Sequence, residues 1–324
     1  MHTIDLGNFS LRTDLYIEKN IDKSHLTEDK YGDILVSSIK EDDYLHVTIS
    51  FNDVTDSTNY DKVLGIFTKE FKRLLKCEII DDKGQVLVIG LGNERSTPDA
   101  LGCETASKII VTRHLYLLGD VDEKYRNVSS YAPGVMGNSG IETFDIIKGI
   151  VNAIKPDLVI LIDALCSSSI KRINKTIQLT NRGIMPGSGI GNNQKELSKK
   201  SLGIPVIAIG VPTVVSSVVI VHDTLNFLMK KISYLKNNSK VTDKLKPINK
   251  LNYFDNDYEL TDEEKKSLLG LFGLLDEHDK KSLIQEVLMP LDANMIVTVK
   301  EIDFIIKKLS SLLADGINKG LHNI

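Results

Sequence analysis

Gln85-Val86-Leu87-Val88-Ile89-Gly90 is an almost unbroken apolar run ending in glycine, and its reading decides the fold class. A strand with one wet face alternates polar and apolar residues; a continuous run of this length is a strand buried on both faces. The signature recurs at Asp157–Ala164 (DLVILIDA) and Pro205–Val211 (PVIAIGV). Helical patterns lie between and around these runs. Val63, Phe67, Phe71, Leu74 and Leu75 form one apolar face before the first run, and Thr97-Pro98 opens a segment expected to run as helix to about Leu118. Glu142–Ile154 precedes the second run, and Val214, Val218, His222, Leu225, Leu228 and Ile232 make a stripe after the third. Strand and helix alternating in this way predict an α/β domain with a mainly parallel or mixed sheet sandwiched by helices.

Composition narrows the class. The 324 residues are 42% hydrophobic and 26% charged, which suits a folded chain and argues against disorder, collagen repeats or a coiled-coil rod. A net charge of −4 gives no global reason to expect nucleic acid or anionic membrane as a partner. Three widely spaced cysteines do not make a secreted disulfide framework and fit a reducing cytoplasm. No apolar run approaches the roughly 20 residues of a membrane span, and the amino terminus lacks the pattern of a secretory signal.

After about Leu235 the chain changes character. Residues 236–258 are rich in Lys, Asn and Asp and read as an exposed connection. Thr261-x-x-Glu264 and Thr298-x-x-Glu301 then look like capping boxes, so residues 236–324 read as a linker and a helical extension packed on the 15–235 domain.

The polar punctuation falls at the carboxyl ends of the apolar runs, where open sheets gather their ligands. The first run leads into Leu91–Asp99, the second ends on Asp163, and Pro186–Gly191 precedes the third. Asp99 and Asp163 are the pair to weigh. Two close carboxylates cannot both ionise cheaply, so one keeps a proton and serves as an acid while the other serves as a base on water. Read from spacing alone, the simpler account is that each caps a helix. Gly90-Leu91-Gly92 lacks the third glycine of a dinucleotide site, Arg95 standing in its place. Gly187-Ser188-Gly189 suits a tight turn, a phosphate cradle or a substrate loop. Asp99, Cys103, Asp163 and Cys166 are together a conceivable metal set, although an isolated cysteine near a buried strand is more often an apolar filler. His222 reads as a satisfied, partly buried residue of a helix stripe.

The linear pattern is more specific than any one motif. Gly90-Leu91-Gly92-Asn93 with Thr97–Gly102, Pro133–Gly137 with Gly140–Thr143, and Asp163-Ala164-Leu165 come in order. Asn174-x-Thr176-Ile177-Gln178, Pro186–Asn192 and Leu202–Val215 follow, and Arg12-Thr13-Asp14-Leu15 stands near the amino terminus. Taken together these blocks resemble the germination proteases of endospore-forming bacteria, a family of atypical aspartic endopeptidases. The resemblance implies a fold like that of the hydrogenase-maturation proteases, catalytic aspartates at Asp99 and Asp163, and no cofactor. It implies a zymogen whose segment 1–14 is removed by self-cleavage between Asp14 and Leu15, and a homotetramer of the spore cytoplasm. Its substrates would be the small acid-soluble proteins that coat spore DNA, without direct contact to nucleic acid or membrane.

Departures from the family pattern are local. Cys166, Ser167 and Ser168 stand where alanine, alanine and arginine are usual, removing a positive charge near Asp163. Cys103 replaces a proline, and Asn138 and Ser139 replace glutamine and threonine. Two other classes bear on the same residues: a metal-carrying protein of this fold, and an esterase like the peptidyl-tRNA hydrolases, which share Gly-Leu-Gly-Asn and the Thr112-Arg113-His114 tripeptide. In those esterases, however, the tripeptide lies closer to the glycines.

Overall fold

The computed structural model describes residues 26–78, 83–119, 121–187, 195–237, 260–291, 293 and 295–324. Three strands open the described chain: β1 (Leu26–Tyr31), β2 (Ile34–Glu41) and β3 (Tyr44–Ser50). Then come α1 (Ser57–Cys77), β4 (Val86–Gly90), a 3-10 turn at Thr97–Asp99, α2 (Leu101–Ala106), α3 (Arg113–Leu118) and β5 (Val128–Tyr131). The middle of the chain supplies α4 (Met136–Ser139), α5 (Thr143–Ile154), β6 (Leu158–Ser167), β7 (Thr176–Thr180), α6 (Lys199–Leu202) and β8 (Val206–Ser216). It ends with α7 (Ser217–Asn237), α8 (Asp262–Leu269), α9 (Glu277–Leu288), β9 (Ile296–Val297) and α10 (Ile302–Leu321).

The main sheet runs in the order β1-β2-β3-β7-β8-β6-β4-β5. β4 pairs in parallel with β5 and β6, whereas β1, β2, β3, β7 and β8 are linked by antiparallel pairs, so the sheet is mixed, as the α/β reading allows. The three apolar runs are its centre: every residue of β4 and Leu158–Ile162 of β6 are buried. Both faces are covered, which is why these strands carry no polar alternation. On one face Val86, Val88, Ile160, Ile162, Ile207 and Ile209 meet α1 and α10. On the other, Leu87, Ile89, Val159, Leu161 and Ala208 meet Ile147 and Val151 of α5 and Leu202 of α6.

Several elements differ from the sequence reading. The helix expected from Thr97 to Leu118 is broken into the 3-10 turn, α2 and α3. β6 does not stop at Asp163 but continues to Ser167, so Asp163 lies inside a strand rather than at its end. The meander β1–β3 has little signal in the sequence, because exposed, charged β1 has no apolar face.

Residues 26–214 with 298–324 make one compact unit, and Val215–Val297 a second. The boundary drawn at 235 falls inside α7, whose pattern runs unbroken to Asn237. Within the first unit α10 is a core helix: Ile306, Leu309, Leu312, Leu313 and Ile317 are fully buried and belong to the same apolar cluster as Phe67, Phe71 and Leu74 of α1. Thr298 does not open a capping box, because its hydroxyl donates to the carbonyl of Thr213 at 2.7 Å. In the second unit the Thr261–Glu264 box forms as expected and starts α8. His222 is buried there, its Nε2 lying 2.7 Å from Oε2 of Glu277.

Candidate active site

Asp99 and Asp163 are delivered by neighbouring parallel strands. β4 ends at Gly90, which is paired with Ile162, the residue before Asp163. From Gly90 the chain turns through Leu91–Ser96 into the 3-10 turn whose last residue is Asp99. Close backbone packing makes this turn possible. Gly102 of α2 sits against the strand ends so tightly that a Cβ would lie 2.3 Å from the Leu91 carbonyl and 2.4 Å from that of Ile162. Gly92, at φ 101°, passes the backbone of Asp99 itself.

Neither aspartate is a helix cap. Asp99 Oδ2 accepts the backbone N–H of Asn93 at 2.8 Å, so the carboxylate reaches back to its own loop. The following helix α2 has Ala100 as its N-cap and no side-chain cap bond. Asp163 Oδ1 accepts the N–H of Ala164 at 2.9 Å within the strand.

Desolvation dominates the electrostatics. Burial pushes the Asp99 carboxyl up to about 6, opposed only by the Asn93 N–H. Asp163 is 6% exposed. Its burial, and after that the charge of Asp99, hold it well above the usual carboxylate range. Asp163 thus feels the charge of Asp99 as well as its own burial. Both carboxyls are held above the usual carboxylate range, Asp163 by the deeper burial.

Cys103 lies in the same field. Its Sγ is 3.5 Å from the Gly92 carbonyl, and burial followed by the charges of Asp99, Glu94 and Asp163 pushes the thiol up to about 11. A thiol so held is a poor nucleophile. Cys166 is buried too. No three of Asp99, Cys103, Asp163 and Cys166 bring their ligand atoms within 4.8 Å of one another. His114 is exposed on α3. Gly187 is described, at φ 69°, whereas Ser188, Gly189, Asp14 and Leu15 lie outside the described residues.

One support of the site had no sequence signal. Asn318 of α10 accepts the Ile110 N–H at 3.0 Å and donates to the Lys108 carbonyl at 3.2 Å, while Lys108 Nζ donates to Ser310 Oγ at 2.5 Å. The carboxyl-terminal helix therefore clamps the segment that begins right after Asp99.

The family described as germination protease matches residues 12–324, nearly the whole chain. The chain belongs to the germination protease family. It is 41% identical to the germination protease of Geobacillus sp. (strain WCH70), covering 99% of this chain and 96% of the relative. It is 42% identical to that of Bacillus pumilus (strain SAFR-032), over 98% and 95%. For Bacillus subtilis (strain 168) the identity is 39%, over 98% and 95%. A [NiFe] hydrogenase maturation protease from Thermococcus kodakarensis is also similar, at 22% identity and TM-score 0.27, over 40% of this chain and 75% of that one. As a germination protease the chain is a hydrolase of peptide bonds, with a protein as substrate. No helix among the described residues is long and apolar enough to cross a membrane.

Proposed function

We propose that this germination protease is an endopeptidase working through Asp99 and Asp163 without a cofactor, and that it opens the degradation of small acid-soluble, DNA-coating spore proteins. The observation that carries this reading is a buried Asp163, its carboxyl held well above the usual range by burial and by the charge of a less buried Asp99. Asp99, ionised near neutral pH, takes a proton from water as the oxygen adds to the scissile carbonyl. Asp163 gives its proton to the departing amine nitrogen as the C–N bond breaks. The proton gained by Asp99 then returns to Asp163 and restores the pair. Helix dipoles suggest the same assignment from sequence, but burial is the stronger cause.

The same reading extends to the whole chain. Residues 1–14 would be an inhibitory segment removed by self-cleavage at Asp14–Leu15, the working form a homotetramer in the spore cytoplasm, and Gly187–Gly189 part of a substrate loop. Its support is the match of this chain's motifs to the family pattern.

The test uses full-length protein with Asp99→Asn and Asp163→Asn, incubated with a small acid-soluble spore protein. Terminal sequencing follows the cut at Leu15. Each variant should lose both activities by on the order of a hundred-fold or more. Undiminished cleavage in either one overturns the dyad.

A further inference from the structure

An overall charge of −4 conceals an uneven distribution. Along the outer face of α1, Lys69, Lys72, Arg73 and Lys76 line one groove of about 730 Å³ together with Gly65, Thr68 and Cys77. The four cations are exposed: Lys72 and Arg73 are neighbours, and each lies three or four residues from Lys69 and from Lys76. Lys62, also exposed, continues the row by another two turns. The row from Lys62 to Lys76 spans roughly 21 Å at the α-helical rise. The acid on this stretch of helix, Glu70, is turned inward: its side chain is 4% exposed and pairs with Arg73 at 2.9 Å. Ser38 Oγ accepts from Arg73 as well, at 3.2 Å, so the guanidinium is fixed in place. Lys69 donates to Tyr31 Oη at 2.9 Å, and Asp29 lies near enough to act on its charge.

Against the expectation of no direct nucleic-acid contact that the resemblance carried, we propose that this face of α1 docks the phosphate backbone of duplex DNA. Three features select that partner. The charges form a line rather than converging on a point, so they match a string of phosphates, spaced about 3.4 Å along each strand, better than a single anion. Three of the four are lysines, point charges suited to phosphate without regard to sequence, and no side chain in the groove is of the kind that reads base edges in the major groove by amide or carboxylate. The described lining residues carry no aliphatic or aromatic side chain, so the groove offers a peptide no apolar pocket to fix its register, whereas a phosphate backbone needs none. The use of this surface rests on the substrate reading above: an enzyme whose substrates coat DNA gains encounter rate by holding the same duplex.

The experiment measures binding alone, so its failure and that of the dyad are separable. Full-length protein is titrated into a labelled 20-base-pair duplex between 50 and 200 mM salt. The comparison is a variant carrying Lys69→Gln, Lys72→Gln and Lys76→Gln; Arg73 is left intact because its removal strands buried Glu70. Wild type should bind with a log–log salt slope of about −4, and the variant should lose about 3 from that slope and bind at least ten-fold more weakly. Cleavage of a protein substrate free of DNA should be equal in both. The proposal is overturned by no binding at 50 mM salt, by equal slopes, or by equal affinity for polyglutamate or for inorganic pyrophosphate. Those last outcomes would assign the groove to an acidic protein or to a small anion.

Discussion

A Cβ built on Gly92 would stand 2.1 Å from the carbonyl oxygen of Asp99 and 3.2 Å from its Oδ1. The glycine loop and the catalytic candidate thus share one space, and the next residue, Asn93, supplies the N–H that holds the carboxylate. Position 92 combines a backbone conformation rarely adopted by other residues with contact at less than van der Waals distance.

Gly92→Ala should therefore displace Asp99. We expect proteolysis to fall at least about a hundred-fold, since misplacement of a catalytic group by about 1 Å costs that much. Circular dichroism should still report a folded chain. Wild-type rates in a folded Gly92→Ala protein would remove Asp99 from the mechanism.

The raised carboxyls make the site a stability burden at neutral pH. Asp99 has a folded pKa of about 6 against 3.8 for the free group. The native state therefore takes up a proton between those values and is penalised above pH 6, by up to about 3 kcal/mol. The penalty disappears below about pH 4, where both states are protonated. Asp99→Asn keeps an acceptor for the Asn93 N–H and removes the charge. It should melt several degrees above wild type at pH 7.5 and no higher at pH 4. A variant that melts lower at both values contradicts the burial argument.

The same numbers set the acid side of the rate profile. As pH falls through about 6, Asp99 gains a proton and ceases to be a base. Hydrolysis of a protein substrate should decline across that interval, by about ten-fold for each unit below it. A flat profile from pH 7 to 5 would mean that some other group accepts the proton.

The cysteines should differ in reactivity. Cys77 is exposed, whereas Cys103 and Cys166 are buried and the Cys103 thiol is pushed up to about 11. Native protein at pH 7.5 should take up one iodoacetamide per chain with proteolysis retained, and three after denaturation. Rapid labelling of Cys103 would show an open, ionising thiol where the structure has a closed one.

The carboxyl-terminal helix is core and should behave as such. Leu313→Ala, at a fully buried site packed with α1, should cost about 2–5 kcal/mol in urea unfolding. Leu271→Ala, at a position 75% exposed, should cost less than about 0.5 kcal/mol. Similar values for the two would place α10 outside the core.

By itself the sequence determined the centre of the sheet. The runs 85–90, 157–164 and 205–211 are buried on both faces, and that environment is written locally because each position must be apolar. It also marked Asp99 and Asp163, since acids beside buried strands stand out, and the order of the motif blocks named the family. Only the tertiary structure decided how those acids are held: neither caps a helix, and burial raises both carboxyls. Their spacing reads equally as caps, and what removes the cap reading is where their carboxyls point and how deeply they are buried, both decided by residues distant in the chain. The same reason kept α10 hidden. Its apolar stripe says that it packs, but its partner α1 lies more than 220 residues earlier, and its hold on the segment after Asp99 comes from Ser310 and Asn318, polar residues with no pattern to read.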